Sequence, residues 1–259
     1  MYCPGYVFAT MALPYSQCTT ERGLVYSYVH VAPKTHSGTY LLFLHGFPST
    51  SYHWRYQIDF FAKKGYGILA PDLLGFGATS KPQWLEMYKA KDMAMDIIDI
   101  MRAEGVDKVV GIGHDWGSQM LSRLANYHPD RFSAYAFIDH GYGRLGQDLS
   151  PQSIEHIDAS VQEKCGFSIL GYFLFFNEAD APEILNQHSD AVESIYFTTD
   201  DTLNKKYKGA HGGMRAWLTE SKATNLPEYL TAEDRSYYQQ TFSKDNGGYG
   251  ACINWYRAA

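Results

Sequence analysis

Basic residues are scarce in this chain, and they do not form a cluster. Its 259 residues include 22 lysines and arginines against 28 aspartates and glutamates, so the formal net charge is −6. Proteins that bind nucleic acid or an anionic membrane surface usually carry a basic patch, so neither partner is expected. The sequence also lacks an apolar run long enough for a membrane-spanning helix.

Cysteine is rare as well. The chain has four cysteines, which are far apart: Cys3, Cys18, Cys165 and Cys252. None stands at the short spacing that metal ligands require, so neither a metal nor another cofactor is predicted. Free thiols are typical of a reducing compartment, and the first fifteen residues lack the basic start of a cleaved signal peptide. The sequence therefore predicts a soluble, cytoplasmic protein.

Apolar runs alternate with amphipathic segments between about Gly23 and His140. Five runs are typical of strands: Leu24–Val31, Tyr40–Leu44, Ile68–Ala70, the run that begins at Val109, and Ala134–Ile138. The intervening segments carry apolar residues at helical spacing, as in the helix predicted from about Lys89 to Glu104. Strands that alternate with helices of this length form a mostly parallel sheet covered on both faces. The predicted fold class is therefore α/β.

The pattern changes after about Gly141. No further apolar strand is predicted, and from Ser153 onwards the chain consists of helices joined by polar loops, with a densely aromatic segment at Gly171–Phe176. Ligands of open α/β sheets bind beyond the carboxyl ends of the strands, where such a helical insertion would lie. We predict a core from residue 1 to residue 140 and a helical cap from residue 141 to residue 259.

One stretch of the predicted core indicates a specific chemistry. Glycines stand two residues before and two residues after Asp115, between an apolar strand and an amphipathic helix. This is the spacing of a nucleophile elbow, in which small residues allow a turn so tight that the central side chain projects alone. An aspartate at the centre can attack an alkyl carbon and form an ester. The alternative is an aspartate that caps the following helix.

Four short segments occur in a fixed order along the chain. They are His45-Gly46-Phe47-Pro48, Pro71-Asp72-Leu73-Leu74-Gly75-Phe76-Gly77, Gly113–Ser118 and Asn254-Trp255-Tyr256-Arg257. Together they resemble the α/β-hydrolase family and, within it, the epoxide hydrolases, over the chain from about Gly23 onwards. The resemblance implies an α/β-hydrolase core with a helical cap. It also implies an enzyme that opens a small hydrophobic epoxide with water to a vicinal diol.

The resemblance implies roles for individual residues. Asp115 would attack the epoxide and form an alkyl ester, and Tyr172 and Tyr256 would donate a proton to the oxygen of the opened ring. Tyr249 is a less favoured substitute for a donor. Because the chain has 21 tyrosines, each of these could instead be an aromatic packing residue.

Hydrolysis of such an ester passes through a tetrahedral oxyanion, which requires preorganised hydrogen-bond donors. By the same resemblance, the backbone N–H groups of Phe47 and Trp116 form this oxyanion hole. His45 is expected to orient the loop that contains Phe47 through hydrogen bonds, and not to act as a base.

One part of the family's machinery has no match in the sequence. An acid and a water-activating histidine should follow the cap, but the sequence stops at Ala259, three residues beyond Tyr256. Asp139 stands where some relatives place the acid, although it is equally consistent with a polar strand end. His140 is its neighbour, but it lies on the wrong loop for the base. We therefore expect a C-terminally truncated chain that lacks the last core strands and whose full turnover is in question.

Two other functions stay open at this stage. Haloalkane dehalogenases share the fold and the aspartate nucleophile, but a halide leaves without a proton, so the two tyrosines favour the epoxide reaction. A ligand-binding α/β-hydrolase module without turnover would fit the absent histidine. A serine esterase is not expected because the sequence contains no G-x-S-x-G segment.

Overall fold

Six β-strands form a single sheet. A computed structural model of the chain describes residues 13–35 and 38–259, and the strand order in its sheet is β1-β2-β4-β3-β5-β6. The strands are β1 Tyr15–Thr19, β2 Val25–Val31, β3 Tyr40–Leu44, β4 Gly67–Pro71, β5 Val109–His114 and β6 Phe132–Ile138. The five predicted strands are confirmed, with small shifts of their ends. β1 was not predicted because its residues, Tyr-Ser-Gln-Cys-Thr, are mostly polar.

The sheet is mostly parallel, as predicted. β3 pairs in parallel with β4 and β5, and β5 pairs in parallel with β6. The first strands run the other way, since β1 is antiparallel to β2 and β2 is antiparallel to β4. β1 and β2 are joined by a tight turn in which the Thr20 N–H donates to the Leu24 carbonyl. A link this short can join antiparallel strands, whereas parallel strands need a long crossover.

Three helices accompany the sheet. They are α1 Arg55–Lys63, α2 Ala90–Ala103 and α3 Trp116–Tyr127, with short 3₁₀ turns at Ser51–Trp54 and Pro129–Arg131. The bounds of α2 agree with the helix predicted from Lys89 to Glu104. Ile58 of α1 belongs to a buried apolar cluster that includes Leu41 and Phe43 of β3. Burial of such an apolar face holds the helix on the sheet.

The described chain divides into two compact units. The strand unit consists of the described residues up to Ser80 together with Ala90–Gly143. The helical unit consists of Lys81–Lys89 and Arg144–Ala259. Pro82 ties the first of these segments to the second, because its carbonyl accepts hydrogen bonds from Tyr88 Oη at 3.0 Å and Asn254 Nδ2 at 3.5 Å. The division into core and cap at residue 140 stays a prediction.

The helical unit contains no strand among its described residues, in agreement with the pattern after Gly141. Its α-helices are α4 Pro151–Cys165, α5 Gly171–Phe176, α6 Ala181–Gln187, α7 Ser189–Phe197, α8 Asp201–Leu203, α9 Gly213–Thr219, α10 Ala232–Thr241 and α11 Asn254–Arg257. Turns of 3₁₀ geometry occur at Leu85–Tyr88 and Lys244–Asn246, and a π-helical turn occurs at Asn204–Gly209.

Two expectations about the chain as a whole can be compared with the structure. None of the described helices has both the length and the apolar character needed to cross a membrane. Cys18, Cys165 and Cys252 are free thiols, as expected, while Cys3 lies outside the described residues. The cytoplasmic location stays a prediction.

Candidate active site

The turn between β5 and α3 holds Asp115 in an unusual backbone conformation. Its φ angle is 54° and its ψ angle is −123°, a combination that residues other than glycine rarely adopt. α3 begins at the next residue, Trp116, and the Asp115 side chain accepts no hydrogen bond from the second or third N–H of the helix, as a helix cap would. The chain therefore forms the strand, turn and helix of the predicted elbow, and the helix-capping alternative is wrong.

Close packing requires both glycines of the elbow. A β-carbon on Gly113 would collide with the carbonyl oxygen of Gly117, and a β-carbon on Gly117 would collide with the carbonyl oxygen of Leu44. Gly113 therefore lies against Gly117 within the elbow, and Gly117, near the start of α3, lies against Leu44 at the end of β3. Any larger residue at either position would have to displace backbone atoms.

Backbone N–H groups hold the carboxylate of Asp115. The Phe47 N–H donates to Oδ1 with a nitrogen–oxygen distance of 2.7 Å, and the Trp116 N–H also donates to this carboxylate. Desolvation raises the pKa of Asp115 above its ordinary value. The two hydrogen bonds, together with the nearby His114 and His140, oppose this rise. The predicted oxyanion-hole donors thus bind the carboxyl group that would become the oxyanion, and their catalytic role stays a prediction.

His45 orients the loop that contains Phe47, which confirms the role expected for it. Its Nδ1 donates to the Gly46 carbonyl at 2.9 Å, and its Nε2 accepts from the Leu73 N–H at 2.9 Å. This pattern requires a neutral ring with its proton on Nδ1. Burial lowers the pKa of His45 to about 3, so the ring stays neutral at pH 7 and serves as a fixed hydrogen-bonding group.

Asp72 is a buried residue near this loop for which the sequence suggested no role. Its carboxylate accepts hydrogen bonds from the Ser51 N–H at 2.9 Å and from Ser51 Oγ at 2.6 Å. It also accepts one from the Ala78 N–H at 3.2 Å. These bonds fasten the loop after β4 to the segment after β3. The sequence did contain a signal for this role, because Asp72 stands between a strand end and a glycine-rich loop. At such a position the short side chain of an aspartate commonly accepts hydrogen bonds from backbone N–H groups.

Two further polar residues lie beside Asp115. β5 and β6 are parallel and pair up to His114 and Ile138, so the turns that follow them are adjacent. Asp115, Asp139 and His140 each bring a carboxylate oxygen or a ring nitrogen within 4.8 Å of the others, and no other potential metal-binding trio occurs in the described part of the chain. The strand ends therefore bring a second carboxylate and a histidine ring close to the candidate nucleophile.

The segment after β6 is bonded to α3. The Gly143 N–H donates to Ser122 Oγ at 2.9 Å. Tyr142 Oη donates to Asn126 Oδ1 at 2.7 Å. Since α3 also begins at the elbow, one helix supports both strand-end turns.

The helical unit brings the two predicted proton donors together. The ring centroids of Tyr172, on α5, and Tyr256, on α11, lie 6.0 Å apart with an angle of 83° between the rings. Phe173 and Phe176 contact Tyr256 at centroid distances of 4.9 and 4.8 Å. Tyr256 is buried and Tyr172 is half-buried. Aromatic packing therefore sets the positions of both phenol rings, and their role as donors stays a prediction.

Tyr249, the substitute considered for these donors, lies in a different cluster. It is fully buried, and its ring stacks on Phe242 with a centroid distance of 5.0 Å. Its hydroxyl donates to Tyr238 Oη at 3.2 Å, and burial raises its pKa. A hydroxyl with these surroundings serves the packing of α10, which argues against Tyr249 as a donor to substrate.

Comparisons with known proteins identify the family of the chain. The family model for the alpha/beta hydrolase fold matches residues 39–245. Bifunctional epoxide hydrolase 2 of Sus scrofa is 30% identical over 258 residues, which make up 96% of this chain and 44% of the relative. Epoxide hydrolase 2 of Siraitia grosvenorii is 31% identical over 238 residues, which make up 89% of this chain and 69% of the relative.

A solved structure is similar as well. The crystal structure of epoxide hydrolase A from Mycobacterium thermoresistibile has a TM-score of 0.74 and 26% sequence identity, and the match covers 94% of this chain and 74% of that chain. By contrast, this chain spans less than half the length of the porcine relative. The likeness therefore extends over nearly all of this chain, but over only part of some longer proteins.

Proposed function

Since the chain belongs to the α/β-hydrolase fold family as an epoxide hydrolase-like member, we propose that it opens a small hydrophobic epoxide to a vicinal diol through an ester on Asp115. The observation that carries the proposal is the carboxylate at the elbow, bonded by the Phe47 N–H at 2.7 Å. A carboxylate at this position is suited to attack an alkyl carbon. The names of the relatives support the same substrate class.

In the first step, a carboxylate oxygen of Asp115 attacks a carbon of the epoxide. The bond between this carbon and the ring oxygen breaks, and its electron pair moves to the oxygen. Tyr172 and Tyr256 supply O–H groups that stabilise the developing charge, and one of them donates its proton. The product is an ester of Asp115 with a hydroxyl group on the neighbouring carbon.

In the second step, water attacks the carbonyl carbon of the ester. Negative charge develops on the carbonyl oxygen, where the N–H groups of Phe47 and Trp116 stabilise it. Both groups already donate to the carboxylate of Asp115, so they need little rearrangement as charge builds up. The bond between the carbonyl carbon and the alkyl oxygen then breaks. The departing oxygen takes one proton of the water, and the phenolate formed in the first step takes the other, so the diol leaves and Asp115 returns to its carboxylate form.

Intact-protein mass spectrometry tests the first step. The protein is mixed with styrene oxide, a reactive aromatic epoxide, and samples are quenched in acid over time. We expect an adduct of one substrate equivalent that is absent in Asp115→Asn, because an amide is a poor nucleophile. Asp130→Asn, which changes an exposed aspartate of the strand unit, is the matched control and should form the adduct normally. Equal adduct yield in Asp115→Asn would contradict the proposal.

The same assay distinguishes the two alternative functions. A haloalkane dehalogenase would release bromide from 1-bromobutane and would form no lasting adduct with the epoxide. A ligand-binding module would bind styrene oxide without any change in protein mass. We expect adduct formation with the epoxide and no bromide release, since the phenols of Tyr172 and Tyr256 are suited to protonate an alkoxide.

A further inference from the structure

The strand unit places a histidine and a carboxylate beside the candidate nucleophile. Parallel pairing of β5 with β6 aligns His114 with Ile138, so the turns after both strands lie at one edge of the sheet. Asp115 belongs to the first turn, and Asp139 and His140 belong to the second. The register of the two strands brings these side chains together although they are distant in the sequence.

The distances between these groups suit proton transfer through one water molecule. His140 Nδ1 lies 3.4 Å from Asp139 Oδ2, and polar atoms of all three side chains, including Asp115, lie within 4.8 Å of one another. A water that attacks an ester must lie about 3 Å from both the base and the reacting carbon. A base no further than this from the carboxyl group of Asp115 can therefore share one water with it.

The surroundings of His140 also suit a base. The side chains of His140 and Asp139 are 49% and 59% exposed, so water reaches both. Asp139 has a φ angle of 79°, in a backbone region where aspartate is one of the few tolerated residues. His45, by comparison, is buried and uses both ring nitrogens to hold its loop. His140 is thus a water-accessible histidine with a carboxylate beside its ring.

We propose that His140 is the general base for hydrolysis of the ester in this chain, and that Asp139 is a positioning residue that orients the His140 ring. The inference rests on the proposed function, because it requires the ester on Asp115. It replaces the expectation, drawn from the sequence, that no base for this step lies within the chain.

The reaction balances without a further reagent. His140 takes a proton from water while the water oxygen bonds to the carbonyl carbon of the ester on Asp115. The tetrahedral intermediate then collapses, and the bond between the carbonyl carbon and the alkyl oxygen breaks. The departing oxygen takes the proton from His140 and leaves as the diol, while Asp115 keeps the oxygen from water. The second proton of the water passes to the phenolate that the first step left on the donor tyrosine, so Asp115 returns to its carboxylate form.

Decay of the adduct tests the role of His140. The protein is alkylated with styrene oxide, excess epoxide is removed by rapid gel filtration, and protein mass is followed over time. We expect the wild-type adduct to decay, and the His140→Gln adduct to accumulate and then decay about 10²–10⁴-fold more slowly. His156→Gln, which changes an exposed histidine on α4, should decay like wild type.

Chemical rescue separates a base from a structural residue. Added imidazole should restore part of the decay rate in His140→Ala, because it can accept the proton in place of the missing ring. Asp139→Asn should slow decay, and Asp139→Glu should restore much of the rate, since it returns the carboxylate. Chelation with EDTA should change nothing, and loss of decay on chelation would overturn the proposal in favour of a metal-bound water.

The outcomes distinguish this inference from the function on which it rests. Failure of the wild-type chain to form any adduct would contradict the proposed function and this inference together. A wild-type adduct that forms but never decays would leave Asp115 as the nucleophile and overturn His140 as the base. Equal decay rates in wild type and His140→Gln would overturn it as well.

Discussion

Two different kinds of force hold the candidate nucleophile and the candidate proton donors. In the strand unit, backbone hydrogen bonds such as that from Phe47 at 2.7 Å hold Asp115, in a turn that accepts only glycine at its flanks. In the helical unit, contacts between aromatic rings hold Tyr172 and Tyr256, whose centroids lie 6.0 Å apart. Directional bonds and steric exclusion tolerate little change, whereas ring packing is the sum of many weak contacts. Substitutions should therefore act differently in the two regions.

The largest effect is expected from removal of a phenol oxygen in the helical unit. Tyr172→Phe and Tyr256→Phe keep the ring and its packing but lose the O–H donor, so each should slow single-turnover alkylation by about 10- to 1000-fold. Rapid-quench mass spectrometry with styrene oxide measures this rate. Tyr249→Phe is the control and should keep the wild-type rate, because the hydroxyl of Tyr249 bonds Tyr238. Unchanged rates in both test variants would show that these tyrosines only pack.

A smaller effect, on stability, is expected at the elbow. Gly113→Ala should lower the free energy of unfolding by about 3 kcal/mol, because the new methyl group collides with the backbone of Gly117. Gly141→Ala is the matched control in the turn after β6, where a β-carbon meets no atom within 4 Å. It should change stability by less than about 0.5 kcal/mol. Urea denaturation measures both, and equal losses would refute the steric account.

The smallest effect is a pH dependence set by His45. Its pKa of about 3 in the folded chain lies below the ordinary value of 6.5, so between these pH values the unfolded chain binds the extra proton. The stability that neutral His45 contributes is therefore full above about pH 6.5 and is lost as pH falls. The variant His45→Gln lacks this titration. The difference between its free energy of unfolding and that of the wild-type protein should therefore become smaller by about 2 kcal/mol as the pH falls from 6.5 to 5.

Urea denaturation of both proteins at each pH measures this difference. Comparing the two proteins removes the contributions of shared groups such as Asp96, whose pKa burial raises to about 6 and whose effect on stability has the opposite sign. A deficit that stays constant with pH would contradict a neutral, loop-bonding His45.

Most of the strand unit could be predicted from the sequence because its signals are local. Apolar runs such as Tyr40–Leu44 are buried in the sheet, and Gly113 is explained by its contact with Gly117 inside the same turn. β1 escaped prediction because Tyr15–Thr19 is polar and owes its strand conformation to pairing with β2. The strand conformation of β1 depends on its partner strand, so it cannot be predicted from the composition of β1 alone.

The candidate site was predictable only in part, for the same reason. His45 was correctly interpreted as a residue that holds its loop, because one of its hydrogen-bond partners, Gly46, is its neighbour in the motif; the other, Leu73, lies on a distant loop. The carboxylate of Asp72 accepts hydrogen bonds from Ser51 and Ala78, which lie on two different loops, and the residues next to Asp72 in the sequence do not predict these partners. From the sequence, His140 lies on the wrong loop for the base, whereas the structure places it within 4.8 Å of the Asp115 carboxylate.

The sequence by itself determined the alternation of strands and helices, the tight turn at Asp115 and the aromatic character of the segments around Tyr172 and Tyr256. These features follow from side-chain periodicity and from the missing side chain of glycine, both of which can be read from a few consecutive residues. Only the tertiary structure decided which side chains become neighbours, as for Asp115 with His140 and for Tyr172 with Tyr256. Strand register and ring packing are set by contacts between distant segments, and those contacts form together when the whole unit folds.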